Sequence, residues 1–201
     1  MKVINWLQFT ENGITLNEKR TSMTVGIFDG IHRGHQELIR KIVSHNPDYT
    51  PVIITFRQNH KTGKIESQEH GIKSEEKKSF KDIQNFQQRL EMFEKLGIQI
   101  SIIVDFTEEF KKMSGIDFLK ILTEKGNPGF FAAGSNFRCG CHLDTNANAA
   151  EKFFASRGIP AKIVPEVMEG SLPVSSSRIR AAINSGEIEL AEKMLGRKLT
   201  I

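Results

Sequence analysis

The sequence is poorest in tryptophan, tyrosine and cysteine: one, one and two among 201 residues. The cysteines, Cys139 and Cys141, stand one residue apart, too close for an easy disulfide, so cysteine usage asks for no oxidising compartment. With His142 they offer three ligands to a metal, but no fourth is apparent, and two free thiols of a cytoplasmic protein are the expectation. No stretch of about 18 apolar residues exists, which excludes an ordinary hydrophobic membrane span. The opening MKVINWLQFTENG has no signal-peptide core. Lysine and arginine form no run long enough to track a phosphate backbone and no aromatic ladder accompanies them, so a nucleic-acid partner is not expected. Neither GxxxxGK[ST] nor GxGxxG occurs, leaving P-loop and dinucleotide-fold readings without support. No internal repeat is present.

What is there suffices for one good-sized domain, 1–201, with a real core: 38% of residues are hydrophobic. A net charge of +4 and a pI near 9.1 are mildly basic. That balance suits an ordinary lysine-rich surface, or a small anionic ligand such as a nucleotide.

Strand-like and helix-like runs alternate. MTVGIF (23–28) precedes a helix with Leu38, Ile39, Ile42 and Val43 on one face. PVIITF (51–56) precedes a helix with Phe86, Leu90 and Phe93 at i, i+4 and i+7. ISIIVDF (100–106) reads as a strand buried on both faces, FLKIL (118–122) as helix, and GFFAAGSNF (129–137) as a strand with its loop. AEKFFASRG (150–158) is a helix ending at glycine and AKIVPEV (161–167) a fifth strand; two short helices close the chain at 176–184 and 187–195. Such alternation predicts an α/β fold, an open parallel sheet with helices on both faces and ligands at the carboxyl ends of its strands. Residues 57–82, with twelve charges in 26 residues, are expected to be a mobile flap or a disordered insertion.

One seam concentrates chemistry. In TVGIFDGIHRGH (24–35) an apolar run meets Asp29-Gly30, and His32 and His35 bracket Gly34 at the start of a helix. Gly30 allows a sharp turn and Gly34 a close backbone approach. The helix start directs unpaired N–H groups and a positive dipole end at the loop, which suits phosphate. Imidazoles three residues apart face the same way and can stabilise charge developing on phosphate. Against this stand two plainer readings: surface histidines, or zinc ligands whose partners are missing.

A second seam is PVSSSRIRAAI (173–183). Serine caps helices, and capping accounts for one of the three. Cations near a helix N-terminus oppose the dipole, so Arg178 and Arg180 are easier to understand with an anion beside them. A triphosphate lying between the two seams is the simplest reading.

GIFDGIHRGH resembles the HxGH motif of the nucleotidylyltransferases, and SSSRIR resembles their SSTxxR motif. VIITF, QQRLEMFEKLGI, AAGSNFRCG and GEIELAEKMLGRKL follow in the order of the bacterial FAD synthetase family, specifically its FMN adenylyltransferase domain. The resemblance implies a Rossmann-like fold and the reaction FMN plus ATP to FAD plus pyrophosphate, with Mg²⁺ whose ligands it does not assign here. It implies catalytic roles for His32, His35 and Arg180. It implies ATP contacts from Gly26, Phe28, Asp29, Gly30, Gly34, Ser175, Ser176, Ser177 and Arg180. The flavin side falls to Asn136, Phe137 and Phe56. A sister transferase acting on another phosphorylated substrate such as phosphopantetheine, or a nucleotide- or flavin-binding protein without catalysis, are the alternatives.

The sequence departs from the family pattern in several places. Arg57-Gln58-Asn59-His60 stands where members carry acid-Pro-His-Pro, Cys139 where phenylalanine is common, and Thr145 where glycine is common. Ile27 and Asn136 replace an asparagine and an aspartate, and the third hydroxyl of SSTxxR is a serine, Ser177. The riboflavin kinase domain that follows in typical members is expected to be absent, so that FMN but not riboflavin is used.

Overall fold

The computed structural model describes residues 1–14, 19–57 and 82–199. The expected flap at 57–82 therefore lies outside the described residues except for its ends, Arg57 and Asp82.

The strands described are β1 (Lys2–Asn5), β2 (Arg20–Val25), β3 (Tyr49–Arg57), β4 (Ile100–Asp105), β5 (Pro128–Gly134), β6 (Arg138–Cys139), β7 (Thr145–Asn146), β8 (Ala161–Val164), β9 (Met168–Glu169) and β10 (Leu172–Pro173). The helices are α1 (Trp6–Asn12), α2 (Arg33–Val43), α3 (Phe86–Lys95), α4 (Glu108–Lys112), α5 (Gly115–Gly126), α6 (Ala147–Ala155), α7 (Ser176–Asn184) and α8 (Ile188–Leu195). Six strands form one parallel sheet in the order β1-β4-β3-β2-β5-β8. The remaining four make two small antiparallel ribbons, β6-β7 and β9-β10.

Alternation along the buried strands divides the core in two. Val52, Ile54, Ile102 and Phe131 pack with Phe9 of α1, Phe118 and Leu122 of α5 and Phe154 of α6. Ile53, Phe130 and Ala132 point the other way, onto Leu38, Ile39 and Ile42 of α2 and Phe93 of α3. Helices thus cover both faces, and the Rossmann-like α/β arrangement expected from the sequence is found. A third cluster, with Ile179, Ala191, Met194 and Leu195, joins α7 to α8.

Local chemistry sets the helix starts. Asn85 and Gln88 form a reciprocal capping box at α3, as Asn5 and Gln8 do at α1. Ser114 caps α5 and Ser175 caps α7.

The first expected strand, 23–28, is corrected to Arg20–Val25. Its start was masked by polar residues that are in fact buried: Thr21 Oγ1 donates to the Gly126 carbonyl at 2.7 Å and Ser22 Oγ to that of Ile42 at 2.8 Å. Its end comes early because Phe28 adopts a left-handed backbone, φ +57°. The expected fifth strand, 161–167, is corrected to Ala161–Val164, ending before Pro165, which cannot donate to a ladder. β1, α1, α4 and the two short ribbons add to the expected elements. The edge strand β1 is mostly exposed and α4 is five residues long, so neither carries a readable hydrophobic period.

Candidate active site

Val25, Phe56, Gly134 and Val164 lie at or near the carboxyl ends of β2, β3, β5 and β8, and all four line one cleft of about 640 Å³. This is where a parallel α/β sheet gathers its loops.

The histidine seam forms one wall. After β2 the chain makes a 3-10 turn, Asp29–Ile31, with φ +57° at Phe28, +77° at Gly30 and +39° at Ile31. His32 then takes an extended backbone and becomes the N-cap of α2, its Nδ1 accepting the His35 backbone N–H at 3.3 Å. The two imidazoles stack, with centroids 3.6 Å apart and planes 18° from parallel. The Phe28 and His35 rings meet edge to face, their centroids 5.1 Å apart. Gly34 has a second use beyond ligand approach: a Cβ there would sit 3.2 Å from His32 Cε1, so the glycine makes room for the imidazole.

Both histidines are held neutral. Burial, then the Arg197 guanidinium, lowers His32 to about 4. Burial, then His32 and Arg89, holds His35 well below the ordinary imidazole value, and its Nδ1 is covered with no hydrogen-bond partner among the described residues. Because His32 Nδ1 accepts a hydrogen bond, the proton of the neutral ring sits on Nε2.

The serine seam meets the histidine seam directly. Ser176 Oγ donates to the Asp29 carbonyl at 2.8 Å, and Arg180 Nη1 lies 2.5 Å from Asp29 Oδ2. The other carboxylate oxygen accepts the Ile83 N–H at 3.0 Å. Asp29 is buried, and burial together with nearby Asp82 raises its pKa despite Arg180 and Arg89. Arg178 serves elsewhere. Its guanidinium binds the carbonyls of Glu169, Leu172 and Pro173 and braces the β9-β10 ribbon, leaving Arg180 as the arginine of this motif that lines the cleft.

Gly26, Phe28, Asp29, His32, Gly34, His35, Ser175, Ser176 and Arg180 all line the cleft, as do Phe56, Asn136 and Phe137 on its far side. Gly30 and Ser177 do not. Gly30 makes the buried turn beneath, and Ser177 is exposed, accepting from Arg180 Nη2 at 3.4 Å.

The far wall is aromatic to an extent the sequence reading missed. Phe56 stacks on Phe106 at 5.0 Å, Phe110 packs on both, and Met113 and Phe118 continue the surface. Phe106 is 46% exposed. The spacing of Phe106 and Phe110 was the available signal. Arg89 was missed too. It is 1% exposed, donates to the carbonyls of Ile27 at 2.7 Å and Phe56 at 3.2 Å, and lies 3.9 Å from Asp82.

The departures have structural counterparts. Arg57 faces Asp105 at 3.7 Å and lies over the Phe86 ring at 5.3 Å. Thr145 is buried, and its hydroxyl bonds the Asp144 carboxylate that also receives the Gly115 N–H. A Cβ on Gly115 would fall 2.3 Å from Thr145 Oγ1, so the glycine at 115 accommodates the threonine.

A parallel sheet with two phosphate-suited seams joined over its strand ends, facing an aromatic wall, defines a nucleotide-handling α/β domain. The family model of FAD synthetase matches residues 14–178, and the chain belongs to that family. It is 26% identical over 185 residues to the bifunctional riboflavin kinase/FMN adenylyltransferase of Buchnera aphidicola subsp. Schizaphis graminum, covering 90% of this chain and 56% of that one. The enzyme of the same name from Listeria monocytogenes is 27% identical over 180 residues, with 89% and 54% covered. The chain thus spans about half the length of these curated relatives. A crystal structure described as a macrolide-efflux protein from Streptococcus pneumoniae superposes with a TM-score of 0.79 at 26% identity, covering 99% of this chain and 61% of that one. No helix among the described residues is long and apolar enough to cross a membrane.

Proposed function

We propose that the protein is an FMN adenylyltransferase, moving AMP from ATP to FMN to give FAD and pyrophosphate. The observation that carries this reading is the contact of the two seams at Asp29, opposite an aromatic wall, in one cleft. The seams suit a triphosphate and the wall suits a flat, apolar ring system.

In this reading the FMN phosphate oxygen attacks the α-phosphorus in line. A new P–O bond forms, the bond to the β-phosphate bridging oxygen breaks, and the electron pair leaves with pyrophosphate. The protein has little covalent chemistry to do; it positions the substrates and stabilises charge. Neutral His32 offers its Nε2–H and His35 its own ring N–H to phosphate oxygens. Arg180, held by Asp29, supplies a fixed cation on the other side.

Mg²⁺ typically keeps several waters and takes substrate phosphates with one or two carboxylates. Of the carboxylates lining the cleft, Asp29 is taken up by Arg180 and the Ile83 N–H, so Glu166 is the one that would hold the ion, and no cluster of three or more His, Cys, Asp and Glu occurs among the described residues. When bound, the metal neutralises charge on the leaving group. A cytoplasmic location and a single domain over 1–201 complete the reading, in keeping with two free thiols at Cys139 and Cys141.

Incubation with ATP, Mg²⁺ and FMN, followed by chromatography for FAD, tests it. FAD should form from FMN. Adenylylation of phosphopantetheine in place of FMN would favour a sister transferase. Binding of ATP and FMN without product would leave a binding protein.

A further inference from the structure

The residues assigned to the chemistry sit in two seams, but the turn that aims His32 is held by residues of neither. Left-handed backbone at two non-glycine residues, Phe28 and Ile31, makes that turn strained, and such strain persists only where surroundings over-determine it. The surroundings are specific. Arg197 Nη2 donates to the Gly30 carbonyl at 2.8 Å, and Arg197 Nη1 approaches that of Ile31 at 3.5 Å. The same guanidinium is anchored by Gln84 Oε1 at 2.9 Å. Gln36 Nε2 joins the junction, donating to the Ile31 carbonyl at 2.9 Å and to that of Leu195 at 2.8 Å. Gly196, with φ +70°, turns the chain out of α8, and a Cβ on it would lie 3.2 Å from Arg33 Cγ. The segment Leu195–Arg197 is therefore packed against the turn and the start of α2.

We infer that Arg197 is a positioning residue for the adenylyl transfer proposed above: it grips the Gly30 and Ile31 carbonyls and so fixes how His32 enters α2 and presents its ring to the cleft. Peptide planarity makes the link. The Ile31 carbonyl and the His32 N–H share one rigid plane, so holding that oxygen holds the next residue. The positive charge of Arg197 also opposes protonation of His32, after burial. Among the described residues, the stacked ring of His35 is the titratable group in ring contact with His32.

The full chain carrying Arg197→Met or Arg197→Lys tests this, and two of the three readouts need no catalysis. In Arg197→Met, NMR titration of the His32 ring should move to higher pH, and the Ile31 and His32 amides should exchange faster with solvent. The kcat for FAD formation should fall roughly 10–100-fold, with KM for ATP changed less than about threefold, because misplacement by about 1 Å costs that much. Arg197→Lys keeps the charge without the fork. Its His32 titration should stay near that of the parent while kcat is still lowered. A folded Met variant with unchanged titration, exchange and kcat overturns the inference. Should the Met variant not fold, a Lys variant with the parent's kcat and amide exchange overturns it. A parent protein that forms no FAD defeats the functional reading instead, and leaves titration and exchange to decide the role of Arg197.

Discussion

Arg180 and Asp29 lie 151 residues apart in the chain and 2.5 Å apart in space, the carboxylate buried and the guanidinium partly exposed to the cleft. Asp29 orients a cation that lines the cleft beside the start of α7. Arg180→Ala should therefore weaken ATP binding far more than FMN binding, by roughly tenfold or more for a charge-assisted contact. Arg180→Lys should not fully restore it, because a point charge cannot replace a planar fork. Calorimetric titration with each substrate separately checks this. Equal loss for both would assign Arg180 to folding.

Replacing His35 by alanine should lower turnover by about 10²–10³, the usual cost of one donor to a developing phosphate charge. ATP should still bind, since the seam of α7 is untouched. Single-turnover kinetics beside an ATP binding curve separates the two. Near-normal turnover would remove His35 from the mechanism.

His32 separates a structural role from a chemical one. Its folded-state pKa is about 4, against 6.5 ordinarily. Between those values the unfolded chain binds a proton that the folded chain refuses. Its contribution to stability is complete above pH 6.5 and is lost as pH falls toward about 4. His32→Asn keeps an N-cap acceptor and removes the titration, so denaturation at about pH 5 and about pH 7.5 should differ less than in the parent. The slope owed to His35 should persist, and FAD formation should fall sharply at both values.

Arg89→Met should destabilise the fold by about 3 kcal/mol, because Ile27 and Phe56 lose a buried donor and Asp82 loses its cationic neighbour. The midpoint of urea unfolding reads this directly. A loss below about 0.5 kcal/mol would mean that the site relaxes around the change.

Phe106→Ala should weaken FMN roughly fivefold and leave ATP unchanged, as expected for one exposed aromatic face lost from the far wall. Flavin fluorescence quenching measures it.

Much of this was legible in the chain. PVIITF and ISIIVDF are continuous β-branched runs, and burial on both faces of a parallel sheet is what such runs mean. The histidine seam was readable because Asp29, Gly30, His32, Gly34 and His35 lie within seven residues at a strand-to-helix junction. What escaped depends on distant partners. Thr21 and Ser22 look like surface residues until Gly126 and Ile42 supply their acceptors. Arg89 looks like one more charge on a helix until Ile27 and Phe56 close over it. Arg178 and Arg180 are indistinguishable by spacing. Only the ribbon brought back by β9 and β10 decides that the first braces a hairpin and the second faces the cleft.

The interlock of Gly115 and Thr145 ties two distant positions into one choice. A Cβ at 115 would fall 2.3 Å from Thr145 Oγ1 and 2.7 Å from Asp144 Oδ1, so any side chain there meets both at once. Glycine at the first residue of α5 is thereby required by the chain at β7, and an engineer cannot redesign either segment without redesigning the other.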